Sequence, residues 1–180
     1  MTIENIMIQT DQVVNDAVCC TVNLPISVLN TFLNQVHTQE DEEGAVPTLT
    51  LIHDLQTRFW GPTKELREPD NNDNDNKESN AGILDTPFLN LSPVAIVATL
   101  QHLTRTTDSA IQTDWFLVLD ARSMEDHTAV IVSVEQEEVR QVRVEWKTAS
   151  RYLAAASTSH PGIDELIEIA EGNEDGVLRD

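Results

Sequence analysis

The stretch Trp115-Phe116-Leu117-Val118-Leu119-Asp120 is an apolar run that halts at an aspartate. Short apolar runs of this kind read as buried strands. Two earlier runs have the same form, Ile6-Met7-Ile8-Gln9-Thr10-Asp11 and Leu49-Thr50-Leu51-Ile52-His53-Asp54. If the three are parallel neighbours, Asp11, Asp54 and Asp120 lie along one carboxyl edge, where open α/β sheets bind ligands.

Downstream, two β-rich runs at 128–134 and 139–146 flank Glu135-Gln136-Glu137-Glu138, which predicts an antiparallel hairpin. The alternation Val142-Arg143-Val144-Glu145-Trp146 leaves one strand face wet. Thr148 is placed to cap a helix holding Tyr152, Leu153 and Ala156. Ile163, Leu166, Ile167 and Ala170 follow at i, i+3, i+4 and i+7, the spacing of an amphipathic helix whose apolar stripe is buried.

Upstream, Ser92-Pro93 places an N-cap serine before a proline at the first helical position, ahead of Val94, Val97, Ala98, Leu100 and Leu103. Near the start, Asp11 reads as the cap of a helix reaching about Val22, because Val13, Val14, Ala17 and Val18 have helical spacing. A second helix is expected over 26–37, then an acidic turn at 39–44 and a strand at 48–53. Between about 62 and 86 the chain carries Asp70-Asn71-Asn72-Asp73-Asn74-Asp75-Asn76-Lys77 and little that can be buried, which predicts a disordered acidic, Asn-rich surface insertion. The pattern as a whole predicts a single α/β domain. Its mixed sheet of about five strands is flanked by helices and followed by a C-terminal hairpin plus helices.

The formal net charge is -20 at pH 7. That disfavours binding to nucleic acid, which relies on lysine and arginine displacing counterions, and disfavours an anionic membrane surface for the same reason. It suits a basic partner, a cation or solubility alone. The two cysteines, Cys19 and Cys20, are adjacent and too close in sequence for an ordinary structural disulfide. Two reduced thiols packed in a helix, with no basic-then-apolar leader and no long apolar span, lead us to expect a soluble, cytoplasmic protein.

Converging carboxylates at 11, 54 and 120 could hold a divalent cation through oxygen ligands or act as an acid and base pair. Equally, an aspartate at a strand end caps the turn that follows. Arg122 is the nearest cation to Asp120 in sequence, and His53 beside Asp54 is the best single acid–base candidate. No cofactor is implied by any motif. The Asx-rich tract fails as a calcium loop, since a loop starting at Asp70 has Asp75 where glycine is required and Ala81 where glutamate is required. No Gly-x-Ser-x-Gly elbow and no phosphate-cradling glycine loop is present. The hairpin breaks the alternating order of a phosphoryl-accepting receiver domain.

Four motifs occur in a telling order: Ile8-Gln9-Thr10-Asp11, Phe116-Leu117-Val118-Leu119-Asp120, Val142-Arg143-Val144 and Asp175-Gly176-Val177-Leu178-Arg179. With the acidic helix Asp164-Glu165-Leu166-Ile167-Glu168, this set resembles a family of small acidic α/β proteins catalogued only as a domain of unknown function. The likeness covers most of the chain outside residues 61–88, a loop that looks like an insertion. It departs from the family after the last strand. There the family's tryptophan and paired asparagines are not evident, and residues 147–157 with Tyr152 stand instead. The resemblance implies a fold and no activity. The leading functional expectation is therefore a non-enzymatic acidic protein that binds a basic partner, as inhibitor or immunity proteins do. The alternatives are a small enzyme or ligand- or metal-binding domain with its site at Asp11, Asp54 and Asp120, and an accessory protein of a metabolic pathway.

Overall fold

The computed structural model describes residues 14–67, 82–158 and 161–179. A six-stranded mixed sheet runs in the order β3-β1-β5-β6-β7-β8. Its strands are β1 (Asn15–Cys20), β3 (Leu49–Leu51), β5 (Ile111–Leu119), β6 (Thr128–Glu135), β7 (Glu138–Glu145) and β8 (Val177–Leu178). A second sheet pairs β2 (Leu24–Pro25) with β4 (Ile83–Leu84). β1 is parallel to both β3 and β5, and β7 is parallel to β8, while β5, β6 and β7 are antiparallel neighbours.

The α/β expectation of a mixed sheet of about five strands holds, and among the described residues the main sheet has six. The largest correction falls on the first helix. Residues 15–20 form the strand β1, and Cys19 and Cys20 lie in it rather than in a helix. Ala17, Val18, Cys19 and Cys20 are all buried, because β1 is covered on both faces. Such a strand has no alternation to betray it, and its apolar run mimics a helix segment. The expected strand ending at Thr10, and Asp11 itself, lie outside the described residues.

Alternate strand residues feed two cores. On one face Val18, Cys20, Leu117, Leu119, Ala129, Ile131, Val142 and Val144 pack under α1 (Ile26–Glu43), α4 (Ala149–Ser157) and α5 (Ile163–Glu171). On the other, Ala17, Cys19, Phe116, Val118, Val130 and Val132 pack under α2 (Pro93–Thr107). A short helix, α3 (Ala121–Asp126), joins β5 to β6.

Several boundaries move for local reasons. The expected acidic turn is the last turn of α1, which ends at Gly44 in the left-handed conformation that glycine adopts freely. Ser92 caps α2 as expected, accepting from the Ala95 amide at 3.4 Å. Thr148 stands before α4, but its hydroxyl donates back to the Glu145 carbonyl at 3.2 Å instead of capping. In α5, Ile163, Leu166 and Ala170 are buried and Ile167 is only half-buried.

The described residues at both ends of the 62–86 stretch are built into the fold. Residues 61–66 run beside the edge strand β3, with the Thr63 amide donating to the Leu49 carbonyl (2.9 Å) and the Leu51 amide to Thr63 Oγ1 (3.0 Å). Asn30 on α1 holds Leu66 by both backbone groups, at 3.0 and 2.8 Å. At the far end, Ile83 and Leu84 belong to β4. The Asn-rich centre lies outside the described residues.

Candidate functional site

The carboxyl ends of the parallel strands are where the sequence placed a site. β3 and β5 flank β1, so their ends stand two strand spacings apart, about 10 Å. The chain itself is bonded across the intervening end of β1. Thr86 Oγ1 donates to the Cys20 carbonyl at 2.6 Å, and the Asn90 amide donates to the Thr21 carbonyl at 2.9 Å.

Asp54 serves its own turn. Its Oδ1 accepts from the Gln56 and Thr57 amides at 2.7 and 2.6 Å, and its Oδ2 accepts from Thr57 Oγ1 at 2.7 Å. Its slight burial opposes the charge, but these three donors and nearby His53 prevail and hold the carboxyl below its usual range. His53 Nε2 lies 3.3 Å from Asp54 Oδ2, and its ring meets Phe59 edge-on.

Asp120 caps α3, accepting from the Ser123 amide and hydroxyl, each at 3.1 Å, while the Asp120 amide donates to Ser123 Oγ at 2.9 Å. Arg122, the nearest cation in sequence, is not the partner of Asp120. Arg122 pairs one turn along the helix with Asp126 at 2.5 Å, and Asp120 is held by Arg143 from β7. Arg143 also donates to Thr128 Oγ1 at 2.8 Å, and Thr128 Oγ1 donates to Asp126 Oδ1 at 2.6 Å. One polar network therefore ties α3 to β6 and β7. Burial opposes the Asp120 charge, yet the Arg143 and Ser123 donors outweigh it and lower the carboxyl from its usual value. Among the described residues, no group of three acidic, histidine or cysteine side chains could hold a metal ion. Asp54 and Asp120 thus have separate local roles, and Asp11 lies outside the described residues.

A folded-state value below the unfolded one means that Asp120 adds stability above its unfolded pKa. That stability is lost as pH falls through the folded value. Arg143→Met should therefore cost about 1–3 kcal/mol at pH 7, with partial water access at Asp120 keeping it well short of a fully buried pair. The gap to wild type should close in acid. Equal urea midpoints at pH 7 would show that the network is only a surface contact.

Three sequence motifs, 116–120, 142–144 and 175–179, come together around this network. Asp120 follows the last residue of β5, Arg143 sits in β7, and Arg143 is in register with Val177 of β8. The tail motif folds as a turn. Gly176 is left-handed at φ 67, and Arg179 grips Asp175 at 2.9 and 2.5 Å. The Arg179 bond, against slight desolvation, lowers the Asp175 carboxyl to about 2.

A second polar cluster lies at the opposite, amino end of β1. Glu40, near the end of α1, is 3% exposed. Its Oε1 accepts from Ser150 Oγ at 2.5 Å, and its Oε2 lies 2.8 Å from His37 Nδ1. The other ring nitrogen of His37 is 2.8 Å from the Thr63 carbonyl, which can only accept, so that nitrogen carries a proton. Asp16 stands nearby on β1 and accepts from Thr48 Oγ1 at 2.7 Å. Burial pushes its pKa up, the Thr48 bond opposes that, and Glu40 adds to the rise. Sequence reading missed Asp16, Glu40 and Arg143. The available signals were an acid heading the run Ala17-Val18-Cys19-Cys20 and a lone arginine between two inward valines of a strand.

Cys19 and Cys20 are both free and buried. Burial raises both thiols, Cys20 to about 12. Among the described residues no helix is long and apolar enough to cross a membrane. No protein-family model matches the chain, and no curated protein and no solved structure matches it.

Proposed function

We propose that this is a cytoplasmic, non-enzymatic interaction protein that presents an acidic face to a basic protein, in the manner of an inhibitor or immunity protein. The observation that carries the reading is that acid is placed where the local structure disfavours it. The β6–β7 turn has Gln136 and Glu137 in the left-handed region, at φ 50 and 70. A two-residue turn of this kind prefers Asn-Gly, and an ordinary residue there costs roughly 1–2 kcal/mol. α5 repeats the theme. Glu171 and Glu174 stand at or just beyond its carboxyl end, where the helix dipole favours cations, and no lysine or arginine occurs between 163 and 176. Arg140 joins the two elements by binding both Glu138 and Asp164, which makes the hairpin tip and α5 one face. Solubility alone does not require acid at these particular positions.

Two measurements test the proposal. Gln136→Asn with Glu137→Gly should stabilise the fold by about 1 kcal/mol, since the turn is relieved. Immobilised protein should retain a basic protein from native lysate, and Glu135→Lys with Glu137→Lys and Glu168→Lys should release it. Retention should also weaken steeply as salt rises, because exposed charges are screened beyond roughly 10 Å at 0.1 M. Retention indifferent to both salt and charge reversal would remove the basis for this reading.

A further inference from the structure

A recess of about 380 Å³ opens between the end of α1, residues 45–48 and the flank of α4, at the amino end of β1. Its inner wall is polar. Glu40 is part of that wall but is already satisfied, since both its oxygens are engaged by Ser150 and His37. Asp16 is not. One of its oxygens takes the Thr48 hydroxyl, and the other accepts no hydrogen bond from the described residues. Among those residues no fully buried side-chain oxygen or nitrogen lacks a partner, so this oxygen reaches the recess. Part of the outer wall is aliphatic and exposed, between polar residues that include Gln39, Glu43 and Thr158. Val14 is 53% exposed and Val46 is 73% exposed, and with Ala45 and Ala154 they line the same opening.

These are two independent features. A half-buried carboxylate with no cation partner among the described residues calls for positive charge, and an exposed aliphatic surface beside it calls for a hydrocarbon stem. No metal-type grouping of ligands accompanies them among the described residues. We propose that the recess binds a primary ammonium carried on an aliphatic stem, with the ammonium on Asp16 and the stem along Val14 and Val46. Two sources offer this chemistry, the lysine side chain of a protein and a free alkylamine. The carbonyl end of α1, which carries partial negative charge, reinforces the preference for a cation. Arg151 and Lys147 at the rim are occupied by Glu43 (3.4 Å) and Glu145 (3.3 Å). The inference stands apart from the acidic face on α5 and does not depend on it.

The test is an amide-resolved NMR titration at pH 7 with n-butylammonium and with Nα-acetyl-lysine methyl amide. n-Butanol serves as the neutral control. Both amines should give saturable shifts confined to the neighbourhood of Val14, Val46, Thr48 and Ala154, and butanol should not. Asp16→Asn should weaken binding at least tenfold. It keeps an acceptor for Thr48 and removes an uncompensated charge, so its thermal midpoint should equal or exceed that of wild type. Val46→Ser, at an exposed position, should weaken binding severalfold with the fold intact, and Asp114→Asn, elsewhere on the surface, should change nothing. Tighter binding of the blocked lysine would assign a protein side chain, and tighter binding of butylammonium a free amine. No saturable shift with either amine, equal affinity for butanol, or undiminished affinity in Asp16→Asn and Val46→Ser would overturn the assignment.

Discussion

Trp146→Ala is expected to cost about 3–5 kcal/mol, a large part of the roughly 5–15 kcal/mol that holds a domain of this size together. Trp146 is 1% exposed. It sits in a short 3₁₀ turn, Trp146–Thr148, at the exit of β7, and its indole closes the core beneath α1. Phe32 meets it edge-on at 5.5 Å, and His127 stacks on it at 4.7 Å. Its Nε1 donates to the Thr128 carbonyl at 2.8 Å. Alanine removes the filler of a junction between helix, sheet and turn, and strips a partner from a buried carbonyl. The surrounding strands are paired on both sides and cannot collapse into the space. Trp146→Phe keeps most of the volume and loses the hydrogen bond, so it should fall well short of the alanine cost. Guanidinium denaturation separates the two. A loss under 1 kcal/mol for alanine would mean that the junction repacks.

Leu166→Ala should cost about 2–5 kcal/mol. Leu166 is fully buried, one turn into α5, in the core that includes Val142 and Val144 of β7 and Leu178 of β8. β8 is two residues long, so its hold on the sheet depends on packing more than on its ladder. Loss of the leucine should therefore loosen β8 along with α5. Ile167→Ala, at a half-buried neighbour, should cost less. Urea unfolding of both variants checks this, and a change below half a kcal/mol for Leu166 would show that α5 is not docked.

The hairpin and α5 were legible because each carries a periodic signal: alternation in Val142-Arg143-Val144 and the three-to-four spacing of Ile163, Leu166 and Ala170. β1 was not legible, because a strand covered on both faces erases its own period. Because 15–20 reads as a helix in sequence, the parallel group β3-β1-β5 has no visible centre there. The reading of Asp11 at that edge lies outside the described residues. Asp54 and Asp120 were correctly placed near strand ends, but sequence could not say which groups would meet their oxygens. The Arg143 partner of Asp120 lies 23 residues away and is brought in by strand register. Local proximity favoured Arg122, whose helix geometry delivers it to Asp126 four residues on. The recess at Asp16 is assembled from β1, α1, α4 and the 45–48 loop, and no single segment carries its mark.

The adjacent thiols give the molecule a built-in pair of gauges. Cys19 belongs to the layer under α2, and Cys20 to the layer under α1, α4 and α5. They are one residue apart in sequence and on opposite sides of the sheet. Thiol alkylation of native protein therefore interrogates each layer from within. A singly modified species that accumulates at Cys19 or Cys20 would mark a layer that lifts by itself. Direct passage from unmodified to doubly modified chains would mark a sheet that gives way as one unit.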